Sequence, residues 1–231
     1  MKLTKLLKII EVLASNNKIS QPLLCGGLVR DRLLGVNNNL NDIDITTGFE
    51  DIHLLAKLAT DLFGKLGAES SVSKDGHTSI YFDNIKLDFS SHFIVNNYNF
   101  TSNNSLIKEM QSRDFTCNAL LCDFSFEKFY DPLETGYSDL KNKVIKTCLP
   151  PEVTLTSDPK RIIRAIYLSC KLNFEIHNEI KEFIKNNGNL LYSVDNKYIS
   201  KNLKKSLKFN NEKTLSLLDE LNLKKYLIGY V

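Results

Sequence analysis

Two short stretches, separated by a few asparagine-rich residues, decide how this chain is interpreted: residues 25–35 are CGGLVRDRLLG and residues 41–45 are NDIDI. Side chains alternate between the two faces of a strand, so Asp42 and Asp44 are expected to project from one face while Ile43 and Ile45 enter the core. Two carboxylates on one face suit Mg²⁺, which takes oxygen ligands. The pattern predicts a cation site, although an ordinary loop and strand start have the same composition.

The glycine pair Gly26 and Gly27 follows a short apolar run and precedes a helical pattern that ends at Gly35, which predicts a strand-to-helix turn. Glycine has no Cβ and the N–H groups at a helix start are electropositive, so such a turn can approach a phosphate closely. Arg30 would add a delocalised cation with several donors. The alternatives are a tight turn that binds nothing and an exposed helical arginine.

Residues 78–82 and 85–89 flank an Asp-Asn pair and predict a β-hairpin. In the second arm three apolar residues share one face, which turns Asp88 to the other face. Asp88 is therefore a candidate third carboxylate, which would complete a metal shell or accept a hydroxyl proton. A solvated residue on an edge strand is the alternative.

Periodic apolar residues predict most of the other elements. An amphipathic helix is expected over about residues 3–13 and a second over 51–65. Residues 90–112, rich in Ser and Asn, predict a mobile loop, and residues 116–121 predict a short helix. Pro150-Pro151 marks the predicted boundary between the domains 1–149 and 150–231. After it, helices are expected over about 158–171, 178–186, 197–208 and 212–221.

The composition is that of an ordinary globular protein: 231 residues, 42% apolar, with a net charge of +3 that permits but does not demand an anionic partner. The five cysteines contain no Cys-x-x-Cys pair and the four histidines are far apart, so neither a zinc site nor a disulfide framework is indicated. Reduced thiols and the absence of a long apolar segment predict a soluble, cytoplasmic protein without a membrane partner.

Five separated segments together resemble the CCA-adding tRNA nucleotidyltransferases and bacterial-type poly(A) polymerases, in the same order over roughly residues 20–210. They are LCGGLVRD at 24–31, DID at 42–44, SRDFTCNA at 112–119, DP at 131–132 with Gly136 and Asp139-Leu140, and DPKRIIRA at 158–165. The resemblance implies an α+β fold: a polymerase-beta-like nucleotidyltransferase head with a small mixed sheet flanked by helices, followed by an all-helical neck.

The resemblance also implies roles for individual residues. It makes Asp42 and Asp44 the ligands of Mg²⁺, and it places Gly27 and Arg30, with the neighbouring Gly26, at the triphosphate. Arg113 and Asp114 match the segment that meets the sugar and phosphates of the incoming nucleotide. The neck residues that match the recognition of the base edge are Asp158, Arg161 and Arg164.

These neck residues are three apart, so they share one stripe of a helix. A carboxylate accepts from an exocyclic amine and a guanidinium donates to ring acceptors; C and A both carry such an amine beside an unprotonated ring nitrogen, and U and G do not. ATP and CTP are therefore the expected substrates. The alternative is that Asp158 is only a helix N-cap. Three positions depart from the family, which has Glu at Ser157, Arg at Ser112 and Arg at Tyr167; the Tyr167 ring could stack on a base or pack in the core.

The expected function is transfer of AMP and CMP to an RNA 3′ end, with CCA addition and poly(A) synthesis left open. Two alternatives are a catalytically silent RNA-binding module and nucleotidyl transfer to a non-RNA acceptor. The family continues into further tRNA-gripping helices, which leaves simple A addition or help from a partner protein open. One predicted helix carries a lysine stripe that could follow an RNA backbone or could simply be a solvated face. The stripe consists of Lys197, Lys201, Lys204 and Lys208.

Overall fold

The structure is a computed structural model that describes residues 3–36, 41–73, 76–90, 98, 100, 102 and 104–227. The chain divides into two compact units. The first comprises Met1–Ile94, Asn99–Arg113 and Cys117–Gly136, and the second comprises Val95–Tyr98, Asp114–Thr116 and Tyr137–Val231.

The first unit is built on a mixed sheet of seven described strands. In chain order they are β1 (Leu23–Cys25), β2 (Asp42–Thr46), β3 (Glu69–Val72), β4 (Thr78–Phe82), β5 (Ile85–Phe89), β6 (Leu121–Cys122) and β7 (Phe129–Tyr130). Their spatial order is β3-β4-β5-β2-β1-β6-β7, in which β2 and β5 are parallel and the other neighbours are antiparallel. The strand with the two aspartates therefore lies at the centre of the sheet.

Four helices of the first unit surround this sheet: α1 (Leu3–Asn16), α2 (Gly27–Leu33), α3 (Ile52–Gly64) and α4 (Ser105–Ser112). Helix α3 packs on β4, and α1 packs on α3. Leu6 and Ile10 of α1 and Leu55 and Phe63 of α3 have no solvent-exposed surface, which confirms the apolar periodicity. Each such side chain contributes about 1.5–3 kcal/mol by leaving water.

Two sequence predictions for the first unit are wrong in part. The predicted loop 90–112 contains helix α4, which begins after Asn104, whose side chain accepts hydrogen bonds from the backbone N–H groups of Leu106 and Ile107; most of 90–103 lies outside the described residues. The predicted helix 116–121 is one 3-10 turn, Thr116–Asn118, followed by β6. The loop was predicted because residues 90–112 are rich in polar residues, although polar residues also occur in helices. The helix over 116–121 was predicted from apolar spacing, but residues 121–122 pair with β1 as a strand instead.

The second unit is predominantly helical. Its helices are α5 (Gly136–Lys141), α6 (Pro151–Ser157), α7 (Lys160–Leu172), α8 (Asn178–Asn187), α9 (Asn196–Phe209) and α10 (Asn211–Glu220). It is not entirely helical, because the short strands β8 (Val144–Ile145) and β9 (Glu175–Ile176) pair in parallel. This pairing joins residues before Pro150 to residues after it, so the compact units divide earlier than the predicted domain boundary.

Candidate functional site

The carboxylate face of β2 has the predicted alternation. Ile43 and Ile45 are fully buried, Asp44 is half-buried and the side chain of Asp42 is 77% exposed. The parallel register of β2 with β5 places Asp88 directly beside Asp44. Since residues paired across neighbouring strands project to the same face, all three aspartates share one surface of the sheet.

Lys86 of β5 lies among these carboxylates. Its Nζ is 3.7 Å from Oδ1 of Asp42 and also donates a hydrogen bond to Asp88. Asp88 further accepts a hydrogen bond from the Ser79 hydroxyl at 2.5 Å. Partial burial by itself would lower the pKa of Lys86, but the hydrogen bond to Asp88 and the charges of Asp88 and Asp42 raise it. The face therefore already holds one cationic group.

The donor set fits Mg²⁺ in its usual mode of binding. Within the part of the chain that the structure describes, no three Asp, Glu, His or Cys side chains form a complete metal site. Mg²⁺, however, commonly uses one or two carboxylates together with substrate phosphates and water. Asp42 and Asp44, on one face of β2, supply such a pair.

The glycine turn lies against the carboxylate of Asp44. Gly26 has φ +76°, a conformation that side chains rarely adopt, and a Cβ there would lie 2.3 Å from Oδ2 of Asp44. The turn joins β1 to α2, which confirms the strand-to-helix prediction. Gly26 is thus required both for the backbone conformation and for the space that Asp44 occupies.

Arg30 is buried, with 3% of its surface exposed, so the alternative of an exposed helical arginine is wrong. Its Nε and Nη2 donate to Oδ1 of Asp31, and its Nη1 donates to Oδ1 of Asn118 at 2.5 Å. The guanidinium also lies against Gly27, where a Cβ would be 3.3 Å from Nη2. Arg30 is thus held beside the glycine turn by Asp31 and Asn118, and its contact with phosphate stays a prediction.

Arg113, at the end of α4, belongs to a buried network that sequence reasoning missed in part. Its Nη2 donates to the Cys25 sulfur at 2.8 Å and to Oε1 of Glu109 at 3.2 Å. Glu109 is 1% exposed and its Oε2 accepts from the Thr46 hydroxyl. Burial raises the pKa of the Cys25 thiol, which therefore stays neutral. The spacing of Glu109 and Arg113, four residues apart on a helix, was the available signal.

Arg113 also has an unsatisfied donor. Its Nε is buried and has no hydrogen-bond acceptor among the described residues. A buried donor without a partner costs about 1–3 kcal/mol, so an acceptor brought by a ligand would recover that cost. A contact of Arg113 with a nucleotide stays a prediction.

In the second unit the neck residues are held in different ways. Arg164 forms an ion pair with Asp114 through its Nε while its side chain stays 46% exposed. Arg161 is 8% exposed and its Nη1 donates to the carbonyl of Thr154 at 3.4 Å. Ile162, Ile163 and Ile166, on the opposite stripe of α7, are fully buried as predicted. The roles of these residues in nucleotide binding stay predictions.

Asp158 lies between α6 and α7. Helix α7 begins at Lys160, two residues later than the predicted start, and Oδ1 of Asp158 accepts from the Lys160 N–H at 3.2 Å. The N-cap of α7 is Pro159 rather than Asp158, so Asp158 accepts one hydrogen bond from the first turn without being the cap residue. The second carboxylate oxygen remains as a further acceptor, so the hydrogen bond to Oδ1 does not by itself exclude a contact with a base.

The three departures from the family pattern have local structural roles. The Ser112 hydroxyl donates to the carbonyl of Glu109 at 2.7 Å, and the Ser157 hydroxyl donates to that of Thr154 at 3.0 Å. The Tyr167 ring packs edge-on against Phe209 with centroids 6.0 Å apart, which agrees with the packing alternative.

The lysine stripe lies on the outer face of α9. All four lysines are exposed, while Ile199 and Leu203 on the other face are buried. A contact of this stripe with RNA stays a prediction. The four lysines are Lys197, Lys201, Lys204 and Lys208.

A mixed sheet with two aspartates at its centre, beside a glycine turn, defines a nucleotidyltransferase head followed by a helical module. The chain belongs to the poly A polymerase head domain family, whose family model matches residues 23–146. A tRNA nucleotidyltransferase of Schizosaccharomyces pombe is 29% identical over 204 residues, which are 79% of this chain and 42% of that protein. A CCA-adding enzyme of Staphylococcus aureus strain Newman is 29% identical over 162 residues, 69% of this chain and 39% of that enzyme.

Solved structures agree on the fold. The Bacillus stearothermophilus CCA-adding enzyme in complex with CTP aligns with a TM-score of 0.80 and 23% identity, covering 100% of this chain and 55% of that one. A tRNA nucleotidyltransferase with a primer tRNA and an incoming ATP analog aligns with a TM-score of 0.72 and 25% identity, covering 95% of this chain and 62% of that one. The chain spans about two fifths of the length of the curated relatives it matches, 42% and 39%.

Proposed function

We propose that this chain is the catalytic head and neck of an RNA 3′-terminal nucleotidyltransferase that uses ATP and CTP. The observation that carries the proposal is the pair Asp42 and Asp44 on one face of β2, with the Asp44 carboxylate against Gly26. The relatives named as tRNA nucleotidyltransferase and CCA-adding enzyme support the same reaction class.

In this reaction the RNA 3′ oxygen attacks the α-phosphorus of the nucleotide. A new O3′–P bond forms, the bond from the α-phosphorus to the bridging oxygen breaks, and pyrophosphate leaves. Mg²⁺ held by Asp42 and Asp44 would supply activation of the hydroxyl and stabilisation of the departing pyrophosphate. We assign to Asp88, which lies beside Asp44 in the sheet, the acceptance of the hydroxyl proton.

Nucleotide binding is assigned to the residues that the sequence indicated. Arg113, with its unsatisfied Nε, would contact the phosphates or the sugar. Gly26, Gly27 and Arg30 would shape the turn that meets the triphosphate. In the neck, Asp114, Asp158, Arg161 and Arg164 would hold the nucleotide and select the base by offering acceptors to an amine and donors to ring nitrogens.

We also propose a cytoplasmic location and the binding partners of the protein. None of the five cysteines, all of which lie in the described part of the chain, forms a disulfide, which agrees with a cytoplasmic location. No helix within the described ranges is both long and apolar enough to cross a bilayer. The RNA would contact the lysine stripe of α9, and a partner protein would assist in holding it.

The test is incorporation of each labelled nucleoside triphosphate, one at a time with Mg²⁺, into tRNA lacking its terminal triplet and into a generic oligonucleotide. We expect AMP and CMP to be incorporated, and we expect Asp42→Asn and Asp44→Asn to abolish incorporation without changing thermal unfolding. Asp61→Asn, an exposed aspartate of α3, is the matched control and should keep activity. A folded protein that extends no RNA, or full activity in Asp44→Asn, would contradict the proposal.

A further inference from the structure

Phe209, the last residue of α9, presents an aromatic ring to solvent on the second unit, where it is 53% exposed. The ring is held edge-on by Tyr167 of α7, with centroids 6.0 Å apart. The backbone that follows is also fixed, because Oδ1 of Asn210 caps α10 by accepting from the Lys213 N–H at 2.9 Å. Single exposed aromatic residues are common on protein surfaces, so the surroundings of the ring decide whether it has a role.

The surroundings of Phe209 are cationic. Helix α9, NKYISKNLKKSLKF, contains five lysines and no acidic residue. Four of them form the lysine stripe, and the fifth, Lys205, is four residues before Phe209 and therefore on the same side of the helix. The Lys205 ammonium is 5.8 Å from the centroid of the Tyr167 ring, within the range of a cation–π contact. We call Tyr167, Lys205 and Phe209 the Phe209 cluster.

The lysines of α9 differ from other lysines of the second unit in having no acidic partner. On the neighbouring helices the ammonium groups meet carboxylates, in the pairs Lys181–Glu220, Lys185–Glu182 and Lys213–Glu175. Among the described residues, no carboxylate forms an ion pair with a lysine of α9. Like charges four residues apart destabilise a helix. An anionic partner that neutralises them would remove this repulsion.

Two kinds of anionic surface combine negative charge with apolar groups: a lipid bilayer and a single-stranded nucleic acid. A helix binds a bilayer by inserting its apolar face, but Ile199 and Leu203 on the apolar face of α9 are 2% and 0% exposed. A single strand instead offers phosphates to lysines and unpaired bases to an aromatic ring. The single half-exposed ring of Phe209 beside a row of lysines fits the nucleic acid.

We propose that the Phe209 cluster and the lysine stripe together form a docking site for single-stranded RNA. One unpaired base stacks on the Phe209 ring, and the lysines contact the flanking phosphates. Tyr167, which stands where the family has Arg, supports the ring from its edge. The inference rests on the proposed function for RNA as the polymer that binds. It goes beyond that function by adding a base contact, which tolerates any sequence because every base has an aromatic face.

The test is the affinity of the full chain for a labelled single-stranded RNA and for the same strand without bases, measured by fluorescence anisotropy. Phe209→Ala should weaken binding of the ordinary strand about tenfold and leave binding of the abasic strand unchanged. Phe209→Leu keeps an apolar side chain against Tyr167 and should show the same loss if stacking is the cause. Tyr192→Ala, at a tyrosine that is 75% exposed, is the matched control and should bind like the wild type.

The salt dependence of binding measures the lysines separately from the ring. Each lysine that contacts a phosphate of a single strand contributes about 0.7 to the slope of log affinity against log salt concentration. Lys205→Gln combined with Lys208→Gln should therefore lower the slope by about 1.4, whereas Phe209→Ala should leave it unchanged. The control is Lys181→Gln combined with Lys185→Gln, which removes ammonium groups that already meet carboxylates and should not change the slope.

Equal affinity of wild type and Phe209→Ala for the ordinary strand, with unchanged thermal unfolding, would overturn the inference. An equal loss on the abasic strand would do the same, because it would show that no base is contacted. Binding to phosphatidylserine vesicles that depends on Phe209, without a loss on RNA, would assign the surface to a membrane instead. Each of these results leaves nucleotide incorporation untouched. A wild type that incorporates no nucleotide yet binds RNA through Phe209 would defeat the proposed function alone.

Discussion

The Asp44 carboxylate occupies the space beside Gly26 that a side chain would need: a Cβ on Gly26 would lie 2.3 Å from Oδ2 of Asp44. The two residues belong to neighbouring segments, because Cys25, just before Gly26, is the register partner of Asp44 in the antiparallel pairing of β1 and β2. The glycine turn therefore has a second role besides joining β1 to α2. It leaves the room in which the Asp44 carboxylate, one of the two that we propose to hold Mg²⁺, is oriented.

We expect Gly26→Ala to lower both stability and activity. The backbone at Gly26, φ +76° and ψ −146°, is a conformation almost limited to glycine and costs about 1–3 kcal/mol for a residue with a Cβ. The added methyl would also displace the Asp44 carboxylate, and a misplacement of about 1 Å can reduce a rate about a hundredfold. Urea unfolding and nucleotide incorporation measure the two effects.

Gly35→Ala is the control for the backbone cost alone. Gly35 has φ +69°, but a Cβ there meets no atom within 4 Å. We expect a similar loss of stability with activity retained. Equal incorporation by the two alanine variants would show that the contact with Asp44 has no consequence for the reaction.

We expect Lys86→Met to strengthen binding of Mg²⁺ or Mn²⁺ to the nucleotide-free protein. The Lys86 ammonium contacts Asp42 and Asp88, so it competes with a metal ion for the same negative charge. A partly exposed ion pair of this kind contributes up to about 1 kcal/mol, which corresponds to about fivefold in affinity. Titration calorimetry with Mn²⁺ measures the change. Lys57→Met, an exposed lysine of α3, should leave the affinity unaltered; weaker metal binding in Lys86→Met would refute the competition.

We expect Glu109→Gln to lower the free energy of unfolding by about 3 kcal/mol, because removing one member of a buried ion pair leaves the other charge uncompensated. Glu109 is 1% exposed and pairs with Arg113 at 3.2 Å while accepting from Thr46. Urea unfolding gives the value. The exposed Glu127→Gln should stay within about 0.5 kcal/mol of the wild type, and an equally small change at Glu109 would rule out a stabilising role for the network.

Asp51 should make stability depend on pH in the acid range. Burial would raise its pKa, but the Thr47 hydroxyl, at 2.6 Å, and the Ser20 N–H, at 2.7 Å, lower it overall. Its contribution is therefore complete above the unfolded value of about 3.9 and is lost as the pH falls through the lower folded value. Asp51→Asn keeps only one acceptor oxygen, so we expect a loss of about 1 kcal/mol near pH 7.

The measurement for Asp51 is the difference in free energy of unfolding between Asp51→Asn and the wild type from pH 7 to below pH 4. We expect the difference to be constant near neutrality and to shrink in acid. Asp61→Asn is the control and should show no such trend. A difference that grows toward low pH would contradict the assigned direction of the pKa shift.

The features that depend on near neighbours in the chain were predictable. Alternation along β2 places Asp42 and Asp44 outward, and the helical spacing of Ile162, Ile163 and Ile166 buries one stripe of α7. These patterns are local because a strand repeats every two residues and a helix every 3.6. The prediction of a loop over 90–112 was wrong in part, because polar composition alone does not reveal a helix capped by Asn104.

Local periodicity thus determined which side chains of β2 and α7 face outward and where most of the helices lie, and the glycine pair determined where the chain turns at Gly26. Only the tertiary structure decided their partners: the parallel pairing that brings Asp88 beside Asp44, the burial of Arg30 against Asn118, and the ion pair of Arg164 with Asp114. Those contacts join residues distant in the chain, and they depend on strand order and helix packing, which are set by burial of the whole core rather than by any short stretch of sequence.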